Sequence, residues 1–119
     1  MTASGTVGIP IYAGESLAKY FLTHDLIRIV PKSKSFSGYI YAYLSSKIGK
    51  SLVSKDQYGG VVDHIEAQHV KEIPIPEISL DLMAGINEKI VKAWKLREEA
   101  LKIENNAIRD LEVLLEQGV

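Results

Sequence analysis

Three histidines and a scatter of hydroxyl, amide and lysine side chains are the residues of this sequence able to do chemistry, and their spacing limits what that chemistry is. His64 and His69 stand five apart in a segment that reads as extended or irregular, His24 is remote, and there are no cysteines, so the set of N and S ligands that holds a zinc ion does not assemble. His24-Asp25 together with Ser4 supplies the residue types of a hydrolytic triad, but no nucleophile-elbow pattern surrounds a serine. Ser4-Gly5-Thr6-Val7-Gly8 is a glycine-rich loop too short for a dinucleotide fingerprint, and no lysine follows at the place a P-loop requires. No Asn-Pro-Pro-aromatic methyltransferase motif and no nuclease carboxylate constellation is present. The expectation is a chain with no catalytic residue, no metal and no cofactor of its own.

Charge points elsewhere. The formal net charge of the 119 residues is -1, yet it is unevenly spread. Residues 17–60 carry seven basic residues against Asp25 and Asp56, a net +5, while residues 77–119 carry six basic and nine acidic residues, a net -3. A basic head on an acidic arm is an asymmetry that steers toward phosphates. No apolar run approaches the roughly 18 residues of a membrane span. The first residues lack the charged-then-apolar layout of a signal peptide, so a soluble cytoplasmic protein without a membrane partner is expected.

The elements that must position these groups fall into two parts, a head over 1–76 and an arm over 77–119. Val7-Gly8-Ile9-Pro10-Ile11-Tyr12 and Leu26-Ile27-Arg28-Ile29-Val30 read as strands from their β-branched content and their Gly and Pro boundaries. Ile40, Tyr43, Leu44 and Ile48 recur at helical spacing between a capping Ser37 and Gly49, which predicts one amphipathic helix of about three turns. Residues 50–60, ending in Tyr58-Gly59-Gly60, read as a loop, and Val70-Lys71-Glu72-Ile73-Pro74-Ile75 as a last extended piece. The fold class expected is α+β: a small mixed or antiparallel sheet with one amphipathic helix on it, then a long C-terminal helix.

That helix is the strongest local signal. After Pro74 and Pro76 end the extended chain, the segment from Leu80 to Glu116 has no proline and one glycine, Gly85. At about 1.5 Å per residue it is on the order of 50 Å long, more than the head can cover. Leu80, Trp94, Leu101, Ile108 and Leu115 share one heptad position with Asn87 in the remaining slot, and Met83, Ile90, Arg97, Glu104 and Leu111 share its companion. Two parallel copies would set Arg97 against Arg97 and Glu104 against Glu104, whereas an antiparallel pair brings Arg97 to Glu104. An antiparallel coiled coil through Met83, Ile90, Trp94, Leu101, Ile108, Leu111 and Leu115 is therefore expected, with Trp94 as an interface anchor.

The ordered series of Ser4-Gly5-Thr6-Val7-Gly8, the Tyr39-Ile40-Tyr41-Ala42-Tyr43-Leu44-Ser45-Ser46-Lys47-Ile48-Gly49 segment, Gly59-Gly60 leading to His64-Ile65, and Ile73-Pro74-Ile75-Pro76 before a long helix resembles the specificity subunit of type I restriction-modification systems. The match is to the C-terminal part of a target recognition domain followed by its spacer helix. The resemblance implies sequence-specific recognition of double-stranded DNA, a second specificity half-subunit paired through the helix as a homodimer, and DNA methyltransferase and restriction subunits as partners that carry S-adenosylmethionine and ATP chemistry. It makes Lys47, Lys50 and Lys55 candidates for phosphate contacts, and Ser4, Thr6, Gln57, Tyr58 and His64 candidates for base-edge or sugar contacts. The sequence departs from the family where Glu77-Ile78-Ser79-Leu80-Asp81 replaces a third proline and a glutamine-containing helix start. A non-catalytic assembly module that pairs through the helix without binding DNA is the alternative.

Overall fold

The computed structural model describes residues 1–2, 8–18, 26–54 and 65–118. Its helices are α1 (Glu15–Ala18), α2 (Ser37–Ser45), α3 (Lys47–Ser54), α4 (Ala67–Lys71) and α5 (Leu80–Glu116), with a 3-10 turn at Lys34–Phe36 leading into α2. The sheet expected for the head is not there: among the described residues the strand pairing is a single antiparallel bridge between Thr2 and Leu26, and the fold is mostly helical rather than α+β.

Each misread segment has a local reason. In the first, whose Val7 lies outside the described residues, Gly8 takes φ +79° and Pro10 lacks a donor, and Thr2 donates its N–H to the Ile9 carbonyl and accepts the Gly8 N–H on its own. In the second, Ile27 enters the core but Val30 is 70 % exposed, so no alternating face is buried. The third segment coils because Val70 and Ile73, three apart, both face the core, a helical spacing that β-branched content disguised. There Glu66 caps the start of α4, its backbone N–H donating to His69 Nδ1 at 3.3 Å.

The single amphipathic helix is two, broken at Ser46. Ser46 adopts extended backbone, its Oγ donates to the Tyr43 carbonyl at 2.6 Å, and the same Oγ accepts the Gly49 N–H at 3.1 Å. One serine thus closes α2 and caps α3. Gly49 is not a helix terminator but a contact point: a Cβ on it would strike the Tyr43 carbonyl and Leu44 Cα, so its bare Cα lets α3 pack tightly on the end of α2.

Helix α2 lies in the middle of the fold, which explains why it is apolar on nearly every face. One side meets α3, and with it Leu44 joins Met1, Val53 and Ile65 in the buried core, flanked by Ile27, Ile40, Val70 and Ile73. The other side packs along the first half of α5, where Tyr39 and Met83 are buried. Ser79 caps α5, its side chain accepting the Leu82 N–H. The helix then runs unbroken for 37 residues, about 55 Å, within a molecule 58 Å long.

Candidate functional site

Two regions carry the groups singled out by the sequence. The first is the exposed face of α3. Lys47 and Lys50 are both exposed there, and three residues apart they project from neighbouring positions of one helix face. Lys50 stands on a helix, with Lys47 in its first turn, rather than in the loop expected over 50–60, because Val53 and Gly49 anchor the opposite face. Arg28, Lys32 and Lys34 are exposed as well. The remaining candidates for DNA contacts, Ser4, Thr6, Lys55, Gln57, Tyr58 and His64, lie outside the described residues.

The second region is α5 and what it touches. Its seam divides into two halves. Met83 is buried and Ile90 and Trp94 are half-buried against the head, whereas Leu101 is 47 %, Leu111 56 % and Leu115 61 % exposed, with Ile108 exposed between them. Asn87, the polar residue in the heptad gap, looks inward: its Oδ1 accepts the Gly38 N–H at 2.7 Å. Trp94 has intramolecular partners where the sequence suggested a second helix. It stacks on Tyr12 with centroids 5.8 Å apart and planes at 26°, and Tyr41 meets both rings edge-on at 5.9 Å. These three rings are the join between the N-terminal segment, α2 and α5. Arg97 lies 4.6 Å from the centroid of the indole ring, a cation–π contact.

Three further bonds fix the join. Tyr39 Oη donates to the Pro76 carbonyl at 2.7 Å, tying the proline linker to α2. Ser37 Oγ donates to the Lys34 carbonyl at 3.0 Å, which leaves Tyr12 Oη as the donor in its 3.0 Å bond to that same Oγ. Beside Tyr12 and Trp94 opens a shallow groove of about 240 Å³, walled by Ile11, Leu17, Arg97, Glu98 and Leu101 and floored at Gly14. Its lining is mainly apolar. Tyr12 and Tyr41 belong to this site without standing among the residues that sequence pattern singles out; their signal is a tyrosine after a proline-bounded apolar run and a second in a mostly apolar helix.

Charge along α5 follows the same division. Lys89, Lys92, Lys95 and Arg97 outnumber Asp81 and Glu88 in the half against the head, while Glu98, Glu99, Glu104, Asp110, Glu112 and Glu116 outnumber Lys102 and Arg109 beyond it. Among the described residues no group of three or more His, Asp or Glu side chains could hold a metal ion, and no helix is long and apolar enough to cross a membrane. Comparison with known proteins yields no family model, no curated protein and no solved structure that matches this chain.

Proposed function

We propose that this chain is a DNA-recognition component of a type I restriction-modification system, in which the head contacts one DNA half-site and α5 pairs antiparallel with the same helix of a second unit. Methylation and cleavage belong to partner subunits docked on the pair. The observation that carries this reading is the way α5 leaves the head: fastened through Tyr39–Pro76, Asn87–Gly38 and the Trp94 stack, then running on for its whole distal half with an uncovered apolar seam. A rod rigidly joined to its head is what a spacer between two half-sites requires, since a hinge would let the spacing drift.

The test is binding of the full chain, with and without the methyltransferase subunit, to labelled duplex DNA across a salt series. A reader of duplex DNA loses affinity steeply as salt rises, because lysines such as Lys47 and Lys50 release counterions from the phosphates. Absence of binding at low salt in both preparations excludes the DNA reading. A second reading, an assembly module that pairs but does not touch DNA, is favoured by one observation: the described part of the head builds no sheet, with Val30 exposed where a strand was expected. It predicts a stable dimer with no duplex affinity.

A further inference from the structure

We infer that the groove beside Tyr12 and Trp94 is a docking slot for the distal turns of α5 from a second copy of this chain. The inference rests on the antiparallel pairing proposed above and adds to it a contact between each helix tip and the other copy's head.

Continuity is the first support. Leu101 is at once a wall of the groove and the first apolar residue of the exposed distal seam that continues through Ile108, Leu111 and Leu115, so groove and distal seam adjoin. The seam cannot serve its own groove, because α5 is continuous and carries it away from the head. Charge is the second. The proximal half of α5 carries Lys89, Lys92, Lys95 and Arg97 against Asp81 and Glu88, with Arg97 and Glu98 both in the groove wall, and the distal turns carry Asp110, Glu112 and Glu116 around Leu111 and Leu115. In an antiparallel pair the basic half of each helix faces the acidic half of the other, whereas a parallel pair sets like charge on like.

Geometry supplies the register. Arg97 comes about one helical turn from the partner's Glu104 when the two-fold axis passes near Lys102 and Ile103. The partner's Ile108 then lies level with Arg97 and its Leu111 level with Trp94 and the groove. The overlap is about 28 residues, or roughly 42 Å. Such a contact is isologous, so every groove filled by one copy is matched by a second filled in return, and one set of residues is used twice. An acidic, apolar helix tip of this length is a poor match to DNA and a good match to this slot.

Ile11 separates the groove from the helix pair, because it lines the slot, is 45 % exposed and lies outside α5. Full-length chain is measured by sedimentation over a concentration series, with circular dichroism as the check on folding. Wild type is expected to dimerise, Ile11→Glu to weaken the dimer at least tenfold, and Leu111→Glu to weaken it further. Since the chain has no cysteine, the double variant Ile11→Cys with Leu111→Cys is expected to form a disulfide between copies under oxidation, which neither single variant does in the same pairing of positions. A dimer indifferent to Ile11→Glu, with no cross-link in the double variant, overturns the groove while leaving helix pairing in place. A wild-type chain that stays monomeric overturns the pairing itself.

Discussion

Asn87, on α5, accepts through Oδ1 a 2.7 Å hydrogen bond from the backbone N–H of Gly38 in the first turn of α2. That N–H is one of the four that an α-helix leaves without an internal partner, and α2 has no side-chain cap of its own at Phe36. The long helix therefore caps the short one, and the cap fixes how arm and head are joined. A polar residue in an otherwise apolar heptad position is explained within one chain.

Replacing Asn87 by alanine tests the cap. Alanine gains up to about 0.7 kcal/mol of helix propensity, but the buried Gly38 N–H loses its acceptor, a cost of about 1–3 kcal/mol. Net destabilisation of about 1–2 kcal/mol is expected, seen as a lower denaturation midpoint. An unchanged midpoint would show that water or another acceptor replaces the side chain.

Glycine-to-alanine changes should differ in sign by position. A Cβ on Gly38 would sit 2.8 Å from the Asn87 carbonyl oxygen, and one on Gly49 would collide with the backbone of α2, so both substitutions force the helices apart and should cost about 2 kcal/mol or more. Gly85 has nothing within 4 Å of the Cβ position and lies inside α5, so Gly85→Ala should stabilise by about 0.5–1 kcal/mol. Thermal unfolding of the three variants gives the comparison, and equal effects at all three positions would contradict the packing described.

What could be read from the sequence follows the range of the forces involved. The extent of α5 is set locally, by two prolines, a capping Ser79 and an unbroken run of helix formers, and so its start and end were visible in the residue order. The sheet expected from Ile and Val at Ile9, Ile29, Val30 and Ile73 does not form, because β-branched residues favour a strand only where a neighbouring strand receives them, and here Ile29 and Val30 are exposed while Ile73 follows a helical spacing from Val70. Ser46 looked like one more residue of a continuous helix because its capping role depends on where Tyr43 and Gly49 come to lie. Trp94 was legible as an anchor. That its partners are Tyr12 and Tyr41 was not, since they come from 82 and 53 residues earlier in the chain.

Trp94→Ala should therefore loosen the head as well as any helix pair. The indole is the meeting point of three rings and of Arg97, and removing a large, partly buried aromatic costs up to about 3–5 kcal/mol. Since this is the only tryptophan, its fluorescence in the wild type reports the same junction. The expected result is loss of helicity at lower denaturant in the variant. A variant with wild-type midpoint but weaker association would place Trp94 in the interface alone.

Tyr39→Phe isolates a single bond. The ring keeps its buried place, while the hydroxyl that donates to the Pro76 carbonyl is lost, a change of about 0.5–1.5 kcal/mol. Because that bond fastens the linker ahead of α5, amides near Ser79 should exchange faster in the variant while those of α3 stay as in the wild type. Uniform change across the chain would assign the hydroxyl a global role instead.

The two halves of α5 should differ in stability within one continuous helix. Residues 83–94 bury side chains against α2 and the N-terminal segment, whereas residues 101–116 are exposed along their whole length, and a helix segment without packing is marginal in water. In dilute solution, hydrogen exchange should show the distal amides exchanging well before the proximal ones. Raising the protein concentration should protect the distal half selectively, since the residues that gain a partner on pairing are those that lack one in the single chain. Distal amides that exchange as slowly as proximal ones at every concentration would mean that the tip is stable without a partner, and the uncovered seam would lose its significance as an interface.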